Sequence, residues 1–304
     1  MFKRTWFLIS LWALGLMYTS CETITIDISN VSIAKVYVTD SLRFSGLKFH
    51  QSMVFYENQA LFVSSDPKRL FCNLFNLNTC GHISTIELPI GDFPAPHANV
   101  SCLGNAFYSK ESIMPLLYIS SWDNQRLLFV YDITCRDEVY NSELVQIIAP
   151  NNVSEDIIGG GYLDWVLDND EGVLYSISYH LKDTSFQEYD NYTHITKFRI
   201  PNYNESVVLL DNKDILDSFT LPVMTVFQDK VYSNGHIYVV AGINGYQDRY
   251  PPRLFDINLN KHELTQYSIP LIGEPEGFDI YNGEMWLNMG AEEMIYKLSI
   301  IQNN

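Results

Sequence analysis

Residues 161–180 read GYLDWVLDNDEGVLYSISYH, and this stretch decides the fold. Two apolar runs, each the length of a strand, flank the polar segment Asp170-Glu171-Gly172. Glycine tolerates the positive φ that tight hairpin turns require. The stretch therefore predicts two antiparallel strands joined by a short turn.

The same paired-strand pattern recurs four more times along the chain. The other copies are HQSMVFYENQALFVSSD (50–66), HANVSCLGNAFY with PLLYISSWD (97–123), VMTVFQDKVYSNGHIYVVAG (223–242) and PEGFDIYNGEMWLNMG (275–290). Three of their turns carry hairpin residues, namely Glu57-Asn58, Asn234-Gly235 and Asn282-Gly283. A supersecondary unit repeated at intervals of about 50 residues is typical of propellers and other repeat folds.

Each pair is followed by further strands. Third strands are predicted in FCNLFNLN (71–78), RLLFVYDI (126–133), ITKFRI (195–200), RLFDINL (253–259) and MIYKLSI (294–300). Fourth strands, each ending at a proline, are predicted in HISTIELP (82–89), ELVQIIAP (143–150), ILDSFTLP (215–222) and ELTQYSIP (263–270).

The fifth unit has no fourth strand of its own. The segment ETITIDISNVSIAKVYV (22–38) can supply it and close a ring, which removes exposed sheet edges. We therefore predict an all-β fold, a β-propeller of five blades with four antiparallel strands each, in which the N-terminal strand completes the last blade. Four or six blades, or a β-sandwich, are the alternatives.

Composition excludes global disorder and disfavours nucleic acid as a partner. Hydrophobic residues make up 47% of the chain, and 20 Tyr and 17 Phe favour strands. There are 36 Asp and Glu against 19 Lys and Arg, a net charge of -17. Such a charge repels phosphate backbones.

The N-terminus predicts export. Lys3 and Arg4 precede an apolar run from Trp6 to Met17, the pattern of a signal peptide over residues 1–20, which leaves residues 21–304 as a single propeller domain. Cys21 follows Leu-Met-Tyr-Thr-Ser, which resembles a bacterial lipobox and predicts lipidation of Cys21. We expect an outer-membrane or cell-surface lipoprotein in a bacterium, with a secreted soluble protein as the alternative.

Four further cysteines are an even number for an oxidising compartment. Their spacing favours the disulfides Cys72–Cys80 and Cys102–Cys135, and four reduced, buried thiols are the alternative.

A site is expected on one face of the propeller, where the first strands begin and the loops between second and third strands converge. The predicted ligand-binding residues are His50, His97, Asn99, Trp122, Asp123, Asp164, Tyr246, Tyr250 and Glu276. Four of these side chains could hold a divalent metal such as calcium, namely His50, His97, Asp164 and Glu276. The alternative is that each polar residue caps its strand around a water-filled channel.

Two stretches, PHANVSCLGNAFY with PLLYISSWD and GEPEGFDIYNGEMWL, resemble secreted β-propellers of the helveticin-J-like and phage teichoic-acid-related kind, and Bacteroidetes lipoproteins. The resemblance implies the fold and an extracytoplasmic location but brings no catalytic residue. The Glu-Pro-Glu-Gly segment also resembles lactonase-type propellers.

Function is predicted from the site. We expect a non-enzymatic protein that binds a glycan, a peptide or a protein through its loop-rich face, with no nucleic-acid partner and membrane contact only through a lipid anchor. The alternatives are a metal-assisted hydrolase or lactonase, and a purely structural propeller.

Overall fold

The computed structural model describes residues 34–47, 50–66, 68–93, 97–121, 126–179, 192–222, 224, 227–290 and 292–300. The predicted signal peptide, the predicted lipidation site Cys21 and two of the predicted site residues, Trp122 and Asp123, lie outside these ranges.

The described chain is all-β, with 62% of it in strands and 3% in helix. In chain order the strands are β1 (Ala34–Arg43), β2 (Ser52–Tyr56), β3 (Gln59–Asp66), β4 (Arg69–Asn76), β5 (Gly81–Leu88), β6 (Ala98–Leu103), β7 (Leu117–Ser121), β8 (Leu128–Arg136), β9 (Val139–Pro150), β10 (Tyr162–Asp168), β11 (Val173–Tyr179), β12 (Tyr192–Arg199), β13 (Val207–Leu210), β14 (Ile215–Pro222), β15 (Phe227–Ser233), β16 (His236–Ala241), β17 (Arg253–Asn258), β18 (Glu263–Ser268), β19 (Pro275–Tyr281), β20 (Glu284–Met289) and β21 (Met294–Ile300). The described helical segments are α1 (Glu155–Ile158), whose first turn is capped by Ser154, and a 3-10 turn (Asn212–Asp214).

The strands form four hydrogen-bonded sheets. Three have the orders β2-β3-β4-β5, β6-β7-β8-β9 with β13 added beside β9, and β10-β11-β12-β14. The fourth has eight strands in the order β15-β16-β17-β18-β1-β21-β20-β19. Strands that follow one another within a sheet pair in antiparallel fashion, whereas β13 pairs with β9 in parallel.

Local backbone chemistry explains the hairpins. Glu57, Asn234 and Asn282 have positive φ, and Asn234 and Asn282 are each followed by a glycine that also has positive φ. These turns join β2 to β3, β15 to β16 and β19 to β20, as the sequence predicts.

Strand β1 joins the sheet that contains the C-terminal strands. It pairs antiparallel with β21, from Val36 opposite Ile300 to Arg43 opposite Met294. Over two residues it also pairs in parallel with β18. The prediction that the N-terminal segment completes the last group of strands is confirmed for its described part, residues 34–38.

The first strand of each predicted unit lies at the centre of the molecule. Strand β2 contacts β6 and β19, β6 contacts β10, β10 contacts β15, and β15 contacts β19. Apolar side chains of neighbouring sheets fill the space between them, as where Leu61 and Phe129 share one cluster and Val166 and Val239 share another. Burial of these clusters is the main stabilising contribution to the fold. In the part of the chain that is described, no helix is long and apolar enough to cross a membrane.

The predicted disulfides are not formed, and Cys72, Cys80, Cys102 and Cys135 are free thiols. Cys72 lies in β4, four residues before the end of that strand, whereas Cys80 lies in the turn that follows. Four residues of strand span about 13 Å. A disulfide requires Cα atoms less than about 7 Å apart, so these two cysteines cannot pair. Burial raises the pKa of the Cys72 thiol to about 12.

The order of the strands keeps Cys102 and Cys135, the second predicted disulfide pair, too far apart to bond. Cys102 lies in β6 and Cys135 in β8, and β7 runs between them, with Tyr118 of β7 opposite both Cys102 and Val130 of β8. Cys135 is five residues further along β8 than Val130. Two strand spacings alone separate the backbones by about 9.5 Å. All four thiols are therefore reduced, as in the alternative, although only Cys72 is fully buried and the other three are partly buried.

Candidate functional site

A cleft of about 540 Å³ opens where two central strands begin. Its walls come from the segments that lead into β2 and β19, from the ends of β3 and β20, and from the chain after β16. The lining residues are His50, Gln51, Ser65, Asn244, Ile272, Gly273, Glu274, Glu276, Met289, Gly290 and Glu292. The cleft lies among the loops that the sequence assigned to the binding face.

His50 lies just before β2, and only 2% of its surface is exposed. Its Nδ1 atom is 2.8 Å from the hydroxyl of Ser64. Its Nε2 atom is buried and has no hydrogen-bond partner among the described residues. Burial lowers the pKa of His50 to about 3, so the imidazole is neutral at physiological pH.

Glu276 lies near the start of β19 and packs against Gly290. A Cβ atom at Gly290 would be 2.3 Å from Cγ of Glu276, so the absence of a side chain there lets Glu276 occupy its position. The Oε2 atom of Glu276 is buried without a partner in the described chain. Burial, reinforced by the nearby carboxylates of Glu274 and Asp229, raises the pKa of Glu276 well above its ordinary value. An uncharged carboxyl group is therefore favoured at this position.

Glu274 is held by two donors. Its Oε1 accepts from the side-chain amide of Gln228 at 2.8 Å, and its Oε2 accepts from the backbone N–H of Asn244 at 3.3 Å. Burial raises the pKa of Glu274, while the bond from Asn244 opposes the rise. Glu274 thus connects the chain entering β19 to β15 and to the loop after β16.

His97 lies beside the cleft and contacts Gln51. The side-chain nitrogen of Gln51 is 2.5 Å from Nδ1 of His97, and Oε1 of Gln51 accepts from the Ser65 hydroxyl and the Ala98 N–H. Burial lowers the pKa of His97, and the carboxylate of Asp164 opposes that shift.

Asp164 and Asn99 belong to a buried network that includes Lys230. Oδ2 of Asp164 accepts from Lys230 Nζ at 2.5 Å and from Asn99 Nδ2 at 2.9 Å. Lys230 also donates to the carbonyl of Gln228 at 2.8 Å. Burial lowers the pKa of Lys230, and the adjacent Asp164 carboxylate opposes the shift.

Two more buried carboxylates connect the central strands. Asp229 in β15 accepts from the backbone N–H groups of Met53 in β2 and Phe278 in β19 at 3.1 and 2.9 Å. Asp279 in β19 accepts from the N–H of Phe55 in β2 at 2.7 Å, and burial raises its pKa to about 6. Asp229 and Asp279, which were not singled out from the sequence, therefore satisfy backbone N–H groups of the central strands.

The structure does not assemble the predicted metal set of His50, His97, Asp164 and Glu276. Within the described ranges, no group of three or more His, Cys, Asp or Glu side chains is arranged to hold a metal ion. Asp164 is already bonded to Lys230, and the two histidines bond Ser64 and Gln51. Coordination of a metal such as calcium by these four residues together therefore stays a prediction that the arrangement of the described side chains does not support.

The predicted aromatic residues differ in exposure. Tyr246 is 53% exposed, in the loop that follows the lining residue Asn244, and can contact a ligand. Tyr250 is buried, with the guanidinium of Arg249 5.5 Å from its ring centroid, so it packs the loop rather than presenting an open surface. The sequence pattern alone did not separate the two tyrosines.

Comparison with solved structures gives the fold but no activity. The crystal structure of Myxococcus xanthus glutaminyl cyclase matches with a TM-score of 0.52 at 10% identity, over 89% of this chain and 100% of that chain. The two chains share a fold. It is a β-propeller-like arrangement, consistent with the sheets described above.

A second structure, Kuenenia stuttgartiensis hydrazine synthase, matches with a TM-score of 0.40 at 8% identity, over 76% of this chain and 58% of that chain. No protein-family model and no curated protein matches the chain. The resemblance to helveticin-J-like and teichoic-acid-related propellers therefore stays a prediction.

Proposed function

We propose that this protein is an exported, non-enzymatic binding protein that holds a small polar ligand in the cleft. We further propose a five-bladed propeller over residues 21–304, in which β1 serves as the fourth strand of the last blade. The order of contacts among β2, β6, β10, β15 and β19 supports five blades. The N-terminal sequence supports a signal peptide and a lipid anchor at Cys21.

One observation carries the binding proposal. His50 Nε2 and Glu276 Oε2 are both buried, both residues line the same cleft, and neither atom has a partner in the described part of the protein. A buried polar atom without a hydrogen bond costs about 1–3 kcal/mol. A polar ligand that bonds both atoms would recover that cost. Concave sites with a few convergent polar groups are typical of ligand pockets.

A ligand-observed NMR screen tests the proposal. Several hundred soluble amino acids, short peptides, amines and oligosaccharides would be screened against the purified protein, and the hits repeated with Glu276→Gln. The variant keeps the size of the side chain but changes its hydrogen bonding. Glu263→Gln, at the exposed first residue of β18, is the matched control. We expect at least one class of compound to bind the natural protein. Glu276→Gln should lose this binding, whereas Glu263→Gln should keep it. No hit at millimolar concentration, or hits indifferent to Glu276, would count against a binding cleft.

A second candidate function is an enzyme that uses Glu276 as a proton donor. The observation in its favour is the raised pKa of the buried Glu276, because acid catalysis at neutral pH requires a carboxyl group that stays protonated. The hydrolase centred on a metal loses support, since its four ligands are not assembled. Mass spectrometry of the screening hits after incubation with the protein would detect turnover, and unchanged hits would favour binding alone.

A further inference from the structure

The charged residues that line the cleft are all acidic. Three glutamates line it, namely Glu274, Glu276 and Glu292, and none of the described lining residues is Lys or Arg. The whole chain is also strongly acidic, with a net charge of -17. An anionic ligand would therefore meet repulsion, whereas a cation would be attracted and would favour the ionised form of Glu276, whose carboxyl group burial otherwise keeps uncharged.

The two unpartnered atoms are suited to accept hydrogen bonds. When Nδ1 of His50 donates to the Ser64 hydroxyl, Nε2 is left as an acceptor. Oε2 of Glu276 accepts in its ionised form. A ligand that offers several N–H donors on one positively charged atom would satisfy both.

The remaining wall and the rim of the cleft are partly apolar. Met289 and Ile272 line it together with two glycines, and Ile272 is 86% exposed. An exposed isoleucine beside a polar cleft can cover an apolar substituent of the ligand.

We propose that the cleft binds an organic cation, an ammonium group that carries a short apolar substituent. This inference rests on the proposed binding function and names the class of its ligand. The ammonium group contacts Glu276 and His50, and the apolar part contacts Met289 and Ile272. An inorganic cation is less suitable, because both oxygens of Glu274 already accept hydrogen bonds and no metal-ligand group occurs in the described ranges.

Matched probes test the class of ligand by isothermal titration calorimetry or ligand-observed NMR. Isopentylamine carries both features, isopentyl alcohol replaces the ammonium by a hydroxyl of similar size, and methylamine lacks the apolar part. We expect isopentylamine to bind, with the alcohol and methylamine each at least tenfold weaker. Glu276→Gln should weaken isopentylamine binding at least tenfold, whereas the control Glu263→Gln should leave it unchanged.

Proton release gives a second readout. Glu276 shares the cleft with Glu274, Glu292 and His50, and Asp229 is near enough to raise its pKa further. Binding of a cation to its carboxylate therefore requires the carboxyl group to lose a proton. Isopentylamine stays positively charged from pH 5 to pH 7, so its affinity should rise over that interval with proton release, and Glu276→Gln should remove most of the rise.

The outcomes separate the two proposals. Equal binding of the alcohol and the amine would overturn the cation assignment while leaving a binding cleft in place. Calcium chloride that binds and displaces isopentylamine would overturn it in favour of a metal site. If no probe binds and the broad screen is also empty, the binding function itself fails.

Discussion

Lys230 places an amine in the centre of the molecule beside the carboxyl group of Asp164, and neither side chain is exposed to solvent. The pair is joined by Asn99 on one side and by the Gln228 carbonyl on the other. The ammonium group also lies 4.8 Å from the ring centroid of Phe227. A buried ion pair of this kind fixes how β10 and β15 meet, although its net contribution to stability is small compared with the cost of breaking it.

Removing one partner of the Lys230–Asp164 pair should lower the free energy of unfolding more than removing both. Lys230→Met leaves the Asp164 carboxylate buried without its cation, so we expect a loss of about 3–5 kcal/mol in the free energy of unfolding. The double variant Lys230→Met with Asp164→Leu should recover at least half of that loss. Urea titration followed by fluorescence measures both. Equal losses in the single and double variants would show that the pair does not act as a unit.

His50 should make stability depend on pH. The pKa of His50 is about 3 in the folded protein and 6.5 in the unfolded chain, so between these pH values only the unfolded chain binds a proton at this group. The free energy of unfolding therefore falls as the pH falls below 6.5. Between pH 7.5 and 5.5 this group alone should lower the free energy of unfolding by about 1.4 kcal/mol.

The comparison with His50→Gln isolates that effect. Asp279 acts in the opposite direction, because its pKa is raised to about 6, but it is present in both proteins and cancels in the difference. Urea unfolding at the two pH values measures the difference. A variant with the same pH dependence as the natural protein would contradict a neutral, buried His50.

At the scale of single residues the sequence located part of the site. His50 and Glu276 could be identified because each lies directly at the start of a predicted first strand. Lys230 was missed, although the segment Phe227-Gln-Asp-Lys-Val carries three polar residues inside a predicted central strand. Three polar residues in a strand that is predicted to be buried need hydrogen-bond or ion-pair partners. This need was the signal by which the sequence could have indicated the buried network. The partners themselves come from four separate strands, β2, β6, β10 and β19, which one sequence cannot bring together.

Among the elements, β1 has an unusual position because it pairs with a strand more than 250 residues away. Val36 faces the core and is 1% exposed, whereas Val38 on the same strand is 38% exposed. The difference provides a matched test of whether the strand is needed for stability.

Val36→Asp should destabilise the protein by at least about 3 kcal/mol, because it places a charge in an apolar cluster with Leu254, Leu287 and Leu298. Val38→Asp should cost less than about 1 kcal/mol, since solvent reaches that position. Thermal unfolding followed by circular dichroism would measure both. If both variants melted alike, β1 would not be packed as described.

The positions of most strands could be predicted from the sequence, whereas the pairing of β13 with β9 could not. The alternation of apolar residues and the Asn-Gly turns locate hairpins such as β15–β16 and β19–β20 to within a few residues. Strand β13 was missed, because it is a four-residue segment that adds to the edge of a sheet from the preceding unit. Its pairing depends on tertiary position and leaves no periodic pattern in the sequence. Disulfide pairing was also mispredicted, since spacing along the chain does not report strand order.

For the whole molecule, the excess of carboxylates should make stability depend on ionic strength. A net charge of -17 disfavours the compact state through self-repulsion, and salt screens that repulsion over about 10 Å at 0.1 M. Raising sodium chloride from 20 to 200 mM should therefore raise the Tm by roughly 2 °C or more. Differential scanning calorimetry checks this, with potassium chloride as the control for specific sodium binding. A Tm that falls with either salt would contradict net repulsion.

The position of β1 also has a consequence for how the protein is made. The ribosome finishes β1 early, but its antiparallel partner β21 emerges about 250 residues later, which takes roughly 13–50 s at ordinary rates of synthesis. During that interval the growing chain carries an apolar strand with unpaired edges, the kind of segment that aggregates or recruits chaperones. The last sheet is therefore completed only after residues 294–300 have emerged, and a nascent chain that stalls before residue 294 keeps its first strand without that partner.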